Sequence, residues 1–296
     1  MTDPNTENDR YVRAVHDRGL GFDLGTLNRR RALLLFGGGA AGLLGLAGCA
    51  PQQVASGSTA AADTTSTSTT GSTAGSGSAG TASTQCVTEV PDETAGPYPG
   101  DGSNGANALT QSGIVRTDLR SSFGGPGGVA AGVPLTMELI VLNLAQACRP
   151  LVGGAVYLWH ADQLGQYSMY SSAIRNENYL RGVAETDGNG TVRFTTIYPG
   201  CYDGRWPHLH FEVFGSLAAA TSGRRQIVKT SQIALPEDAS RAVYASTGYT
   251  RSTSNLDRTS LSRDMVFRDD NGARQLATVT GSARDGYVAK LTVAVN

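Results

Sequence analysis

Apolar and polar residues alternate with a period of two along several short stretches of this 296-residue chain. Pro134–Asn143, P-L-T-M-E-L-I-V-L-N, opens on such an alternation, and His208–Phe214, H-L-H-F-E-V-F, repeats it. Ala155–His160, A-V-Y-L-W-H, is rich in β-formers, and Gln226–Ile233 and Tyr287–Val295 are of the same kind. A period of two sends successive side chains to opposite faces, so each stretch predicts a strand. Asp187-Gly-Asn-Gly190 is a tight-turn sequence between Leu180–Thr186 and Thr191–Ile197, and predicts a hairpin. Long helical periodicity is absent. Many short strands joined by Gly-rich turns predict an all-β fold, a β-sandwich of mainly antiparallel strands.

The strand pattern begins only near Cys86. Residues 1–28 are polar and irregular, Arg29-Arg30-Arg31 follows, and Ala32–Ala47 is apolar. The apolar stretch falls short of the ~20 residues of a spanning helix, and basic-then-apolar is the order of an export signal. Arg30-Arg31-Ala32-Leu33-Leu34 resembles a twin-arginine signal core, and Leu46-Ala47-Gly48-Cys49 resembles a lipobox. Residues 1–49 therefore predict a lipoprotein signal with Cys49 as the lipidated residue. The product is expected outside the cytoplasm, on the outer face of the cell membrane, held by a lipid anchor only. Residues 50–85 are almost entirely Ser, Thr, Gly and Ala. Such a tract cannot bury enough apolar surface to fold, and serves as a flexible linker reaching roughly 30–35 Å. The folded domain is expected over 86–296.

Charge narrows the partners. The formal net charge is −1, and Lys229 and Lys290 are the two lysines of the chain. A nucleic-acid surface needs clustered Lys and Arg, so nucleic acid is excluded. Cys86, Cys148 and Cys201 remain after signal removal, and an exported chain admits a disulfide.

Candidate chemistry concentrates in Tyr198–Phe214, Y-P-G-C-Y-D-G-R-W-P-H-L-H-F-E-V-F. On a strand, His208 and His210 share a face and can reach one metal, while Leu209, Phe211 and Val213 enter the core. An H-x-H pair alone also occurs in zinc sites, cupins and ordinary strands. Glu212 comes too early after the second His for a cupin. A zinc hydrolase needs a third ligand, for which His160 or Cys201 is available.

The motifs taken together resemble the intradiol ring-cleavage dioxygenases, particularly their short exported branch. Thr94-Ala-Gly-Pro-Tyr98 is similar to the family's T-x-G-P-Y segment. Trp159-His-Ala-Asp162 with Gly165-Gln-Tyr-Ser168 resembles its W-H-x-D and G-x-Y-S block. Tyr179-Leu-Arg-Gly182, T-D-G-N-G, F-T-T-I-Y-P-G and C-Y-D-G-R-W-P-H-L-H follow in the branch's order, with Gln232 beyond them. The resemblance spans roughly Cys86–Asn296. It implies Fe(3+) as cofactor, held by Tyr167, Tyr202, His208 and His210. It implies Arg205 as the active-site arginine, Gln232 as a pocket glutamine, and Pro97 and Tyr98 as pocket walls. It implies Tyr202 as a catalytic base that leaves the metal to take a substrate proton, with Arg205 stabilising charge on the ring. Tyr157, Tyr170, Tyr179, Tyr198 and His160 lack the motif positions and are read as structural, as are Trp159 and Asp162. Because Cys201 falls inside the implied site, Cys86–Cys148 is the expected disulfide, although spacing alone does not fix the pairing. Cys201 stands where the branch often has Trp, and Ala161 where Cys is common. No N-terminal helical dimerisation region precedes the sandwich, and the oligomeric state is left open.

The implied reaction cleaves a catechol-type aromatic diol between its two hydroxylated carbons with O2, giving a muconate-type diacid. Phenolate oxygen and imidazole suit ferric iron, and coordination removes the phenol proton at neutral pH. Two other classes compete: a non-catalytic β-sandwich lipoprotein binding a ligand or glycan through its tyrosines, and a zinc hydrolase. Neither needs two spaced tyrosines plus the arginine.

Overall fold

The computed structural model describes residues 86–296. The signal, Cys49 and the linker lie outside the described residues. The elements in order are β1 (Pro134–Asn143), β2 (Arg149–Pro150), β3 (Ala155–Trp159), β4 (Arg181–Glu185), β5 (Thr191–Ile197), β6 (His208–Phe214), α1 (Leu217–Thr221), β7 (Ile227–Ala234), α2 (Glu237–Tyr244), α3 (Ser252–Leu256), β8 (Thr278–Ser282) and β9 (Gly286–Val295). The all-β fold is as expected. Among the described residues no helix is long and apolar enough to cross a membrane.

Two sheets pack face to face. In the first, β1 pairs antiparallel with β5 and β2 along one side and parallel with β9 along the other, and β9 pairs with β8. The second runs β4-β3-β6-β7, antiparallel throughout. Alternate residues of each sheet fill the space between them: Leu135, Met137, Leu139 and Val141 from β1, and Leu209, Phe211 and Val213 from β6. Proline opens β1, where its missing N–H does least harm to the ladder.

The hairpin expected around Asp187–Gly190 does not form. Its flanking strands lie in different sheets, β4 against β3 and β5 against β1. The turn is real: Gly190 N–H donates to Asp187 O at 2.9 Å, with Gly190 at φ +70°. It carries the chain from one sheet across to the other, because β4 and β5 each bury apolar faces that a flat two-stranded ribbon would leave exposed.

The outer face of the second sheet is covered as well. Tyr157 and Trp159 of β3, Phe214 of β6 and Tyr167 pack there beneath Ala108, Leu109 and Ile114. Every residue of β6 is consequently buried. The N-terminal arm enters at Cys86, which is disulfide-bonded to Cys148, 5.4 Å away between Cα atoms. It pairs first with the end of β9, Val90 N–H to Ala294 O, and then with β7, Glu93 N–H to Thr230 O. This route delivers Thr94–Tyr98 onto the outer face beside the start of β6.

Candidate metal centre

His208 and His210 project from the outer face of β6, two residues apart. Two loops bring the tyrosines to meet them. The loop after β3 is built around Asp162, whose Oδ1 accepts from Leu164 and Gln166 N–H, while its main-chain oxygen accepts from Gly165 and Gly200 N–H. The last of these bonds ties the Tyr167 loop to the Tyr202 loop. The two loops touch at Gly165, at φ +78°, where an added Cβ would lie 2.9 Å from Tyr202 Cβ. The far side of the Tyr202 loop is held by α3, with Cys201 N–H donating to Ser252 Oγ and Asn255 Nδ2 donating to Cys201 O.

Four donor atoms converge. Tyr167 Oη lies 3.0 Å from His210 Nε2, Tyr202 Oη 3.0 Å from His208 Nε2, the two Nε2 atoms are 3.1 Å apart and the two hydroxyls 3.4 Å. His208 Nδ1 is 2.5 Å from Trp206 O and donates to it, which leaves Nε2 a bare lone pair. That lone pair faces His210 Nε2 at 3.1 Å. Donor separations of 3.0–3.4 Å are those of neighbouring ligands on one cation with bonds of about 2 Å.

Electrostatics point the same way. Burial, then Arg205, holds the His208 imidazole well below its ordinary pKa. Burial, then His208, does the same for His210. Both imidazoles are neutral at pH 7. Burial drives the Tyr167 phenol well above its ordinary value, so only a cation at the site would make it a phenolate. Tyr167 is 1% exposed, whereas Tyr202 is only part-buried.

Arg205 sits at the edge of the cluster, its Nη1 3.3 Å from His208 Nε2 and 3.5 Å from Tyr202 Oη. Burial would lower its pKa, but Asp264 and Tyr202 more than offset this and keep the guanidinium charged. Nε donates to Asp264 Oδ2 at 2.9 Å and Nη2 to Gln232 Oε1 at 2.6 Å. The Gln232 amide in turn donates to Thr94 O, and the residue is fully buried. Both ends of Gln232 are thus occupied. It holds Arg205 in place. Gly96 approaches His210 so closely that an added Cβ would lie 3.3 Å from Cε1, and the Tyr98 ring lies 4.9 Å from that of Tyr167. Pro97 and Tyr98 are therefore placed over the donors.

The residues read as structural are occupied elsewhere. His160 uses both nitrogens, on Ala161 O and Thr196 Oγ1, and burial lowers its pKa to about 4. Tyr157 donates to Pro99 O. Cys201 is buried, its thiol pushed up to about 12 by burial and by Asp264, with Sγ directed at Arg205 O. Neither His160 nor Cys201 can serve as a third zinc ligand, and the described residues hold no cluster of three or more His, Cys, Asp or Glu suited to a metal.

Two residues escaped the sequence reading. Asp264 is fully buried and accepts from Arg205 and from Trp206, Val266 and Phe267 N–H. Arg181 is equally buried and donates to Pro99 O, Tyr98 O and Ser168 O, locking the strip over the site to the Tyr167 loop. Its position inside the Y-L-R-G motif was the available signal for it. Nothing local marks Asp264.

Comparison with known proteins bears on this arrangement. A family profile described as Dioxygenase matches residues 120–208, a span that holds Tyr167, Tyr202, Arg205 and His208. The protocatechuate 3,4-dioxygenase beta chain of Burkholderia cepacia is 33% identical over 100 residues, 29% of this chain and 43% of that protein. The chain thus spans less than half the length of this curated relative. An intradiol ring-cleavage dioxygenase from Tetranychus urticae is 26% identical with a TM-score of 0.51, over 62% of this chain and 87% of that one. Sequence and fold agree, and the described domain is similar to the intradiol ring-cleavage dioxygenases in both.

Proposed function

We propose that this chain is a ferric dioxygenase that opens catechol-type rings between the two hydroxylated carbons. The observation that carries this reading is the convergence of two phenol and two imidazole donors beside a charged arginine. Two tyrosinates are hard anionic donors that favour the ferric state, and ferric iron, when bound, supplies the activation of a chelated catecholate toward O2. Tyr167, Tyr202, His208 and His210 would hold it.

The chain's own part is binding, orientation and proton handling. Tyr202, the more accessible tyrosine, is the one to take a substrate hydroxyl proton as a general base. Arg205 is fixed from behind by Asp264 and Gln232 with one nitrogen toward the donors, so it can stabilise negative charge on the ring without reorganising. Pro97 and Tyr98 wall the ring's approach. The product would be a muconate-type diacid, with both oxygen atoms drawn from O2.

The same proposal extends to location. The twin-arginine-like core, the Leu46–Cys49 lipobox and the Cys86–Cys148 disulfide favour an exported protein, lipidated at Cys49, in an oxidising compartment.

The visible spectrum of the iron-loaded full chain under nitrogen tests the chemistry. A tyrosinate-to-iron band that shifts on adding catechol is expected. Tyr202→Phe should still bind iron but lose at least tenfold in kcat. A colourless protein after ferric reconstitution, or full activity in Tyr202→Phe, would remove the iron site or the base from the account.

A further inference from the structure

Five buried side-chain atoms among the described residues lack a hydrogen-bond partner, and four belong to three residues of one patch: Trp159 Nε1, His210 Nδ1 and both carboxyl oxygens of Glu212. The three are neighbours by register. Trp159 lies opposite His210 across the β3–β6 ladder, and Glu212 follows His210 by two residues on the same face. The Trp159 and His210 rings are stacked, 5.0 Å between centroids. Trp159 Nε1–H is a donor, His210 Nδ1 is one in its Nδ1–H tautomer and the carboxyl is an acceptor, so the patch is complementary although none of its members hydrogen-bonds another. An unmet buried polar group costs about 1–3 kcal/mol, and orphans this close call for a common partner.

The orientation of His210 shows where that partner sits. Its Nε2 points back along the strand toward His208, at 3.1 Å. The opposite edge, Nδ1–Cε1, therefore turns toward Glu212. Cε1 packs under Gly96. The preceding residue, Ala95, and Glu212 line a cavity of about 140 Å³ that Asp92, Arg225, Lys229 and Thr230 complete. Residues two apart on a strand are about 7 Å apart, and one water joins heavy atoms separated by about 5.6 Å, so a single water between the two side chains spans the gap that side-chain reach leaves. Glu212 thus borders polar-lined space that admits water.

We propose that Glu212 is a positioning residue for His210, accepting the Nδ1–H through a bridging water and thereby fixing the tautomer that presents Nε2 to a metal. The partner of a ligating histidine's second nitrogen sets the ring's orientation, and its loss typically weakens metal binding 10–100-fold. The proposal rests on the reading of His210 as an iron ligand.

Two measurements on the full chain test it, one of them without metal. Imidazole proton–nitrogen correlation spectra of the metal-free protein should show His210 as the Nδ1–H tautomer, with that proton protected from exchange. Glu212→Leu should expose it to exchange. In chelator competition, Glu212→Leu should bind ferric iron on the order of 10–100-fold more weakly, while Glu212→Gln, which keeps an acceptor oxygen, should stay close to the wild type. An Nε2–H tautomer in the wild type overturns the proposal even if Glu212→Leu does not fold. Equal iron affinity in Glu212→Leu, or equal weakening in Glu212→Gln and Glu212→Leu, overturns it too. If the wild type takes up no ferric iron, the iron reading fails, and the tautomer result alone decides the part played by Glu212.

Discussion

At Arg205 the balance of forces is set by one carboxylate. The guanidinium is nearly dry, and Asp264 is its buried counter-ion at 2.9 Å. Removing one partner of a buried pair leaves the other uncompensated, at a cost of roughly 3–5 kcal/mol. Asp264→Asn is therefore expected to lower stability by about 3 kcal/mol in denaturant unfolding. It should also cut kcat/KM on the order of tenfold to a hundredfold through a misplaced arginine. Iron content should be retained, because Asp264 touches none of the four donors; loss of iron would move Asp264 into the ligand shell. His160 makes a separate prediction. Its folded pKa is about 4 against an ordinary 6.5, so the folded state favours the neutral ring. The stability this represents is fully present above pH 6.5 and is lost as pH falls from 6.5 toward 4, up to about 3 kcal/mol. In the metal-free protein, His160→Gln should flatten the fall of unfolding free energy across that window. An unchanged slope would show that His160 does not carry it.

At the scale of elements, the alternation along β1 and β6 made both strands legible to the residue, because each buries one face in the sandwich core. β8 was not, since T-V-T-G-S is mostly exposed and lacks an apolar face to alternate. The eight-residue α2 was missed for its brevity, although Ala239, Ser240, Val243 and Tyr244 mark a buried helical stripe. The Asp187–Gly190 turn was read correctly as a turn and wrongly as a hairpin, because turn chemistry fixes a chain reversal and not the sheet that the next strand joins. The site followed the same division. Tyr167, Tyr202, His208 and His210 sit in ordered motifs, whereas Asp264 meets Arg205 only through a contact spanning 59 residues. The two tyrosine loops depend on their contact at Gly165. A side chain there meets both an unfavourable φ of +78° and the Tyr202 Cβ. Gly165→Ala should leave a folded protein, destabilised by about 1–2 kcal/mol. It should also show weakened iron binding, read as loss of the visible band at sub-stoichiometric iron. A variant with wild-type colour would mean that the loops tolerate separation.

For the domain as a whole, the Cys86–Cys148 bond closes a loop with a sequence separation of 62. Constraining the unfolded chain in this way contributes about 4 kcal/mol in the loop-entropy account. Cys148→Ser should therefore lower unfolding free energy by about that amount. Iron site spectra should be unchanged below the transition, because the arm retains its bonds from Val90 to Ala294 and from Glu93 to Thr230. A variant with unaltered stability would refute the entropic role. The placement of this bond has a mechanical consequence. The chain enters the domain at Cys86, and only eight residues further on the same segment becomes the strip that covers the donors. Any tension transmitted along the chain from upstream passes through the sulfur bridge into the start of β2, which pairs with β1, the most extensively paired strand of the first sheet, and not into Thr94–Tyr98. The cover of the site is shielded from load, so pulling on the chain from its N-terminal side should leave turnover undisturbed until the sheet itself gives way.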